Sequence, residues 1–196
     1  MSQLKQDIFA LNNAVNKTYI EIGASHPRKI NNTFLLEQHG WKGFSIELDT
    51  NKKEYWDADT ERKNKIYWDN AITFDYAEAC NQNNLPNRIG YLSVDIEPPE
   101  NTFAALKRVI EQGITFDCIT FEHDRYQAKK NYDPIVKEYL REKGYKVAVD
   151  NVYRRRKKRI DGQKKKINKI CYMETWFVNK DINFDIVEYK DWIVNK

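Results

Sequence analysis

Five times in this 196-residue sequence a short apolar run gives way to a loop that carries acidic residues. The runs end in Glu21-Ile22-Gly23-Ala24-Ser25-His26, in Glu47 with Asp49, in Asp69-Asn70, in Asp95-Ile96-Glu97 and in Glu122-His123-Asp124. One carboxylate in such a place is ordinary helix-capping or turn chemistry. Five together read as a site, because carboxylates accept hydrogen bonds from hydroxyls and attract cations. The first of these loops narrows the ligand. A dinucleotide-binding turn reads GxGxxG, whereas Gly23 stands alone before Ala24, Ser25, His26 and Pro27, and no GxxxxGK[ST] cradle is present. Acids at Glu21 and Glu47 suit instead a cationic ligand with a ribose and no phosphate, a description that S-adenosylmethionine meets.

Other chemistries find less support. Cys80, Cys118 and Cys171 are odd in number and never form a CxxC pair, and His26, His39 and His123 fall in no HExxH or HxxxH spacing. Neither a disulfide framework nor a zinc site of thiolates and imidazoles is expected. A divalent ion bridging Asp95, Glu97 and Glu122 agrees with the preference of hard cations for oxygen, but no spacing demands it.

The elements that must position these residues follow from periodicity. Strands are expected at Thr18 to Ile22, Gly43 to Glu47, Lys65 to Trp68, Gly90 to Asp95 and Thr115 to Glu122, where apolar runs are short and β-branched or aromatic. Helical spacing occupies Leu4 to Asn13, Asn32 to His39 before Gly40, the segment from Thr50 towards Arg62, the stretch TFAALKRVI after Pro98-Pro99, and Ile135 to Lys143 before Gly144. After Gly144 two β-type runs, YKVAVDNV and CYMETWFV, follow with no helix between them. The expected fold is α/β: a Rossmann-like, doubly wound and mostly parallel sheet with helices on both faces and a terminal antiparallel hairpin. Residues 1–196 are expected to form one domain, with an N-terminal helix in 1–16 and a basic loop at 153–170 set into the hairpin.

Charge is unevenly spread. The 33 Lys and Arg against 29 Asp and Glu give a net +4, but Arg154 to Lys169 alone holds ten basic residues and one acid, leaving about −5 on the rest. So basic a tract is expected to be a solvated loop, and it is the one place where an anionic partner is indicated. With 41% hydrophobic and 13% aromatic residues the chain has the composition of a globular protein. No stretch reaches the roughly 18 apolar residues of a membrane helix, and the polar start lacks a signal-peptide core, so the expected location is cytoplasmic.

The ordered motifs resemble the FkbM-type methyltransferases of the class I S-adenosylmethionine-dependent fold. The stretch YIEIGASHPRKINNTFLLEQHGWKGFSIELD is similar to the family's acid-x-Gly-Ala loop, Asn-Thr helix start, Gly-Trp-x-Gly approach and Ile-Glu ending; Asn70-Ala71-Ile72, YLSVDIEPPE, FEHD, GYKVAVDNV and ETWFVNKD follow in family order. Pro27 and Pro98 stand where the family usually has glycine. The resemblance implies that Glu21, Gly23, Ala24 and Ser25 line the methionine part of the cofactor, with Asn32 and Thr33 behind them. It implies Glu47 on the ribose, Asp69, Asn70 and Ala71 around adenine, and Asp95 and Glu97 towards the sulfonium and acceptor, with Glu122 and His123 closing the acceptor side. His123 and Asp95 are then the expected bases, with Glu122 as orienting partner or alternative base, and Glu97 and Glu100 are expected at the acceptor. Trp176, in ETWFV near the sheet end and otherwise core like the other tryptophans, is a candidate to stack on a sugar face there. Without the resemblance His123 reads as a hydrogen-bonded edge histidine and the tryptophans as core. The implied activity is O-methylation of a hydroxyl on a sugar, glycan or glycosylated metabolite. Two alternatives stand beside it: a nucleic-acid methyltransferase, and a non-catalytic binding module that uses the basic tract.

Overall fold

The computed structural model describes residues 2–160 and 163–184, with the backbone alone over 155–160 and 163–169. Along the chain come α1 (Gln6–Asn13), β1 (Thr18–Ile22), α2 (Phe34–Gln38), β2 (Lys42–Glu47), a 3-10 turn (Thr50–Lys52), α3 (Lys53–Asp57) and β3 (Lys65–Trp68). Then follow α4 (Tyr76–Gln82), β4 (Arg88–Val94), α5 (Pro99–Glu111), β5 (Thr115–Glu122), α6 (Asp133–Glu142), β6 (Tyr145–Ile160) and β7 (Gln163–Asn179). The seven strands form one sheet in the order β3-β2-β1-β4-β5-β7-β6. The first five are parallel, β7 runs antiparallel to β5, and β6 is antiparallel to β7. This is the expected doubly wound sheet with a terminal antiparallel pair.

Alternation along the strands divides the core into two layers, because successive side chains leave a strand on opposite faces. Ile20, Ile22, Phe44, Ile46, Leu92, Val94, Ile119, Phe121 and Phe177 pack on one face under α4, α5 and α6, which contribute Cys80, Leu106, Val109, Val136 and Leu140. Tyr19, Tyr91, Cys118, Trp176 and Val178 pack on the other with Phe9 of α1, Leu36 of α2 and Trp41. Trp176, expected at the acceptor, is buried in this second layer. Its ring lies 4.9 Å from that of Phe9 and its indole N–H donates to Glu174 Oε2 at 2.6 Å. Position 176 is in phase with Val178 and Glu174, so the tryptophan serves the core and not a sugar.

One element is added and one further expectation is corrected. The helix α4 between β3 and β4 is short, its apolar positions span barely two turns, and periodicity alone does not mark it; Asp75 caps it by accepting from Glu78 N at 3.0 Å. The basic tract is not a loop: β6 runs through Arg154 to Ile160 and β7 begins at Gln163, with Arg154 opposite Cys171, Arg156 opposite Lys169 and Ile160 opposite Gln163. Repulsion does not forbid this, since strand pairing is made by backbone hydrogen bonds and salt screens like charges over about 8 Å. The sequence between the strands, Asp161-Gly162, is a two-residue hairpin signal.

Candidate functional site

In an open parallel sheet the carboxyl ends of the strands and the loops beyond them make the ligand crevice. Here a cavity of about 510 Å³ opens at that edge, over β1, β2, β3 and β4. Its lining includes Gly23, Ser25, Glu47, Asp69, Asn70, Ala71, Asp95 and Glu97. The cavity therefore gathers residues from four of the five acidic strand ends.

Gly23 sits where the first loop meets the fourth. Its N–H donates to Ile46 O at 2.9 Å, its φ is +86°, and a Cβ there would lie 1.8 Å from Asp95 O. Only glycine tolerates both the left-handed backbone and this approach, so the β1 and β4 loops close against each other without a side chain between them. Ser25 N then donates to Glu47 Oε2 at 2.7 Å, while Asp49 N donates to Glu47 Oε1 at 2.7 Å. These bonds aim the carboxylate along the cavity wall and leave each oxygen a lone pair for a further donor. Asp69 N donates to Glu47 O at 3.0 Å, which brings the third loop beside the second.

Glu21, Ala24, Asn32 and Thr33 are placed differently: all four are buried and none lines the cavity. Glu21 Oε2 accepts from Thr33 Oγ1 and Ser45 Oγ, each at 2.8 Å, and from Asn31 Nδ2 at 3.2 Å, while Oε1 accepts from Asn32 N at 3.2 Å. Burial raises its pKa, and Arg62, 3.7 Å away, opposes that rise. Asn32 Nδ2 donates to Ser93 Oγ at 2.9 Å. This cluster braces the first loop from behind.

Arg62 completes it, and no motif in the sequence marks this residue. Its guanidinium lies 3.1 Å from Glu37 Oε1, donates to Asn31 Oδ1, Thr33 Oγ1 and Ser45 Oγ at 3.0–3.2 Å, and stacks 4.5 Å from the Trp56 ring. A single arginine in a polar stretch carries no local signal of burial. Also unforeseen were the apolar walls, Ile46, Leu48, Ile72 and Ile96. Leu48, at 68% exposed, follows the acidic end of β2, and that pairing of acid with a bare aliphatic is the sequence signal that was available.

Beside the first cavity Asp95 and Glu122 are neighbours, each one position beyond the paired Val94 and Phe121. Burial raises both, and for Glu122 the neighbouring Asp95 raises it further. A carboxylate disfavours ionisation of a carboxyl beside it. A second cavity of about 640 Å³ adjoins, lined by Glu97, Pro98, Glu100, Asp124, Gln127, Lys129 and Tyr132 among others. Glu97 is common to both cavities. Gln127 Nε2 donates to Asp124 Oδ2 at 2.8 Å, and burial beside Asp95 and Glu97 raises the Asp124 carboxyl as well.

His123 lines neither cavity. One residue out of phase with Glu122, it is 1% exposed; its Nδ1 accepts from Arg125 N at 3.2 Å, and its Nε2 lies 3.4 Å from Thr175 Oγ1 and 3.9 Å from Asp133 Oδ1. Burial lowers its pKa to about 4, against the pull of Asp133. The structure thus brings Asp95 and Glu122 together and sets His123 apart, against α6. Among the described residues no group of three or more His, Cys, Asp or Glu is arranged to hold a metal ion, the trio Asp95, Glu97 and Glu122 included. Nor is any described helix long and apolar enough to cross a membrane.

Neither a family model nor a curated protein matches the sequence. Solved structures do match in fold. Sp1610 of Streptococcus pneumoniae, a candidate tRNA (m1A22) methyltransferase, is 9% identical with a TM-score of 0.57 over 94% of this chain and 73% of its own. The N-methyltransferase NodS from Bradyrhizobium japonicum WM9 is 14% identical with a TM-score of 0.56, covering 90% of this chain and 93% of that one. M. capricolum TrmK, solved with S-adenosyl-homocysteine, is 11% identical with a TM-score of 0.55, covering 94% and 71%. At such identities the likeness is one of fold, and the fold of this chain is that of the Rossmann-like methyltransferases.

Proposed function

We propose that this protein is an S-adenosylmethionine-dependent methyltransferase acting on a hydroxyl of a sugar-bearing acceptor, as the FkbM-type resemblance implies. The observation that carries the reading is the first cavity, where a Cβ-free turn at Gly23, the Glu47 carboxylate and the Asp69-Asn70-Ala71 loop converge. That set fits the cofactor. Glu47 offers free lone pairs to ribose hydroxyls, Leu48 and Ile72 offer apolar walls to a base, Gly23 leaves room for the methionine part, and the acidic lining suits a cation without phosphate.

Bound there, the cofactor would supply a methyl group on a sulfonium, with its neutral thioether as the leaving group. The chain's part is to align and to take the proton. Asp95 borders the first cavity and stands next to Glu122, so Asp95 in its ionised form receives the hydroxyl proton while Glu122, whose carboxyl burial keeps protonated, orients it. Asp95 is the base in this scheme and Glu122 its orienting partner; His123 is a buried neutral support. Glu97 and Glu100 border the second cavity, where the acceptor enters.

Thermal unfolding with added ligand tests the reading. S-adenosyl-homocysteine at about 100-fold excess over its Kd is expected to raise Tm by roughly 5 °C or more, and NAD is expected to leave it unchanged. No shift with the former, or an equal shift with NAD, overturns the assignment.

A further inference from the structure

Register shows where the longest strands go. At the level of Glu122, the last residue of β5, stand Glu174 of β7 and, paired with it, Val152 of β6. Beyond that level, on the same edge as both cavities, only β6 and β7 continue among the described strands, from Tyr153 to Ile160 and from Gln163 to Met173. At roughly 3.3 Å per residue the eight residues of β6 make an arm about 25 Å long. Ten of the sixteen residues from Arg154 to Lys169 are Lys or Arg, on a body whose remaining charge is negative.

The arm is fastened to the second cavity. His123 N and Asp124 N both donate to Met173 O, at 2.8 and 3.0 Å, Arg125 Nη2 donates to Asn151 Oδ1 at 2.7 Å, and the Arg125 guanidinium stacks 4.5 Å from the Tyr172 ring. The same loop supplies Asp124, Gln127, Lys129 and Lys130 to the cavity lining. A ligand held along the arm is therefore led to the acceptor side.

We infer that the acceptor is RNA, its phosphates tracked by the β6–β7 arm and one ribose delivered to the second cavity. This deepens the methyltransferase reading and rests on it. An arm of this charge recognises a repeated anion, and the proposed chemistry needs a sugar hydroxyl; RNA is the polyanion that sets a free 2′-hydroxyl beside every phosphate. DNA offers the phosphates without that hydroxyl, and an anionic membrane offers neither the sugar nor a strand to lead inward.

The experiment measures fluorescence anisotropy of a labelled stem–loop RNA with the full chain, between about 50 and 200 mM KCl. It compares the wild type with a variant carrying R154Q, R155Q, R156Q, K164Q, K165Q and K166Q. The wild type is expected to lose at least about 100-fold in affinity across that salt range, and the variant to bind at least about tenfold more weakly with a shallower slope, by roughly 0.7 to 0.9 for each phosphate it no longer neutralises. R154K, R155K and R156K together are expected to retain binding. Labelled methyl groups are expected on the RNA and not on a DNA of the same sequence. RNA binding by the glutamine variant equal to that of wild type overturns the inference, as does preference for heparin or phosphatidylserine vesicles over RNA, or methyl transfer to DNA alone. The shift with S-adenosyl-homocysteine is followed in every variant. If it fails in the wild type the methyltransferase reading falls by itself; if it persists while RNA is ignored, only the acceptor inference falls.

Discussion

Asp95 and His123 are both polar residues near strand ends, and one-residue differences in phase give them opposite surroundings. Asp95 borders a cavity next to Glu122, so Asp95→Asn, which keeps the side chain's shape and removes the base, is expected to lower kcat by roughly 10²- to 10⁴-fold while S-adenosyl-homocysteine binding persists. His123 is neutral when folded, with a pKa of about 4 against an ordinary 6.5. The unfolded chain then binds more protons than the folded one between those values, so this residue's contribution to stability is intact above pH 6.5 and is lost as pH falls towards 4. Urea unfolding at pH 7 and pH 5 is expected to show up to roughly 2 kcal/mol of such loss, and His123→Gln to lack that component. The acidic strand ends were legible because polar residues interrupt apolar runs there. The facing of His123 was not legible, since it depends on how Thr175 and Asp133 meet it from two distant elements.

Among the elements, the connection from α3 to β3 does the most for the site while carrying no motif. Arg62 comes from it to lie between Glu21 on β1 and Glu37 on α2, beneath the loop that Gly23 turns. Arg62→Ala leaves two carboxylates buried without a counter-charge and is expected to cost about 3–5 kcal/mol in urea unfolding. A loss under about 1 kcal/mol would mean that the network is dispensable. The parallel strands were readable to within a residue or two, because burial on both faces writes an unbroken apolar run. Helix α4, with barely two turns, and the paired strands of the basic tract were not. In the tract, charge composition argued for a loop, while pairing of the strands is set by backbone hydrogen bonds that composition does not record.

At the scale of the whole molecule, the net charge of +4 is the sum of an acidic body and one basic arm, and the sheet sends the arm out from the edge that holds both cavities. The fold class followed from the alternation of strand and helix patterns. Which acids meet around one cavity follows only from the strand order, because β1, between β2 and β4, brings together loops from residues 23 to 97. The central claim is that this cavity binds the nucleoside of a methyl-donor cofactor through Glu47, and titration calorimetry with S-adenosyl-homocysteine, which carries the same ribose, tests it most directly. One equivalent is expected to bind the wild type, and Glu47→Ala is expected to weaken binding about tenfold or more, some 1.4 kcal/mol for the hydroxyl hydrogen bonds removed. Absence of binding to the wild type, or equal affinity in Glu47→Ala, would contradict the account.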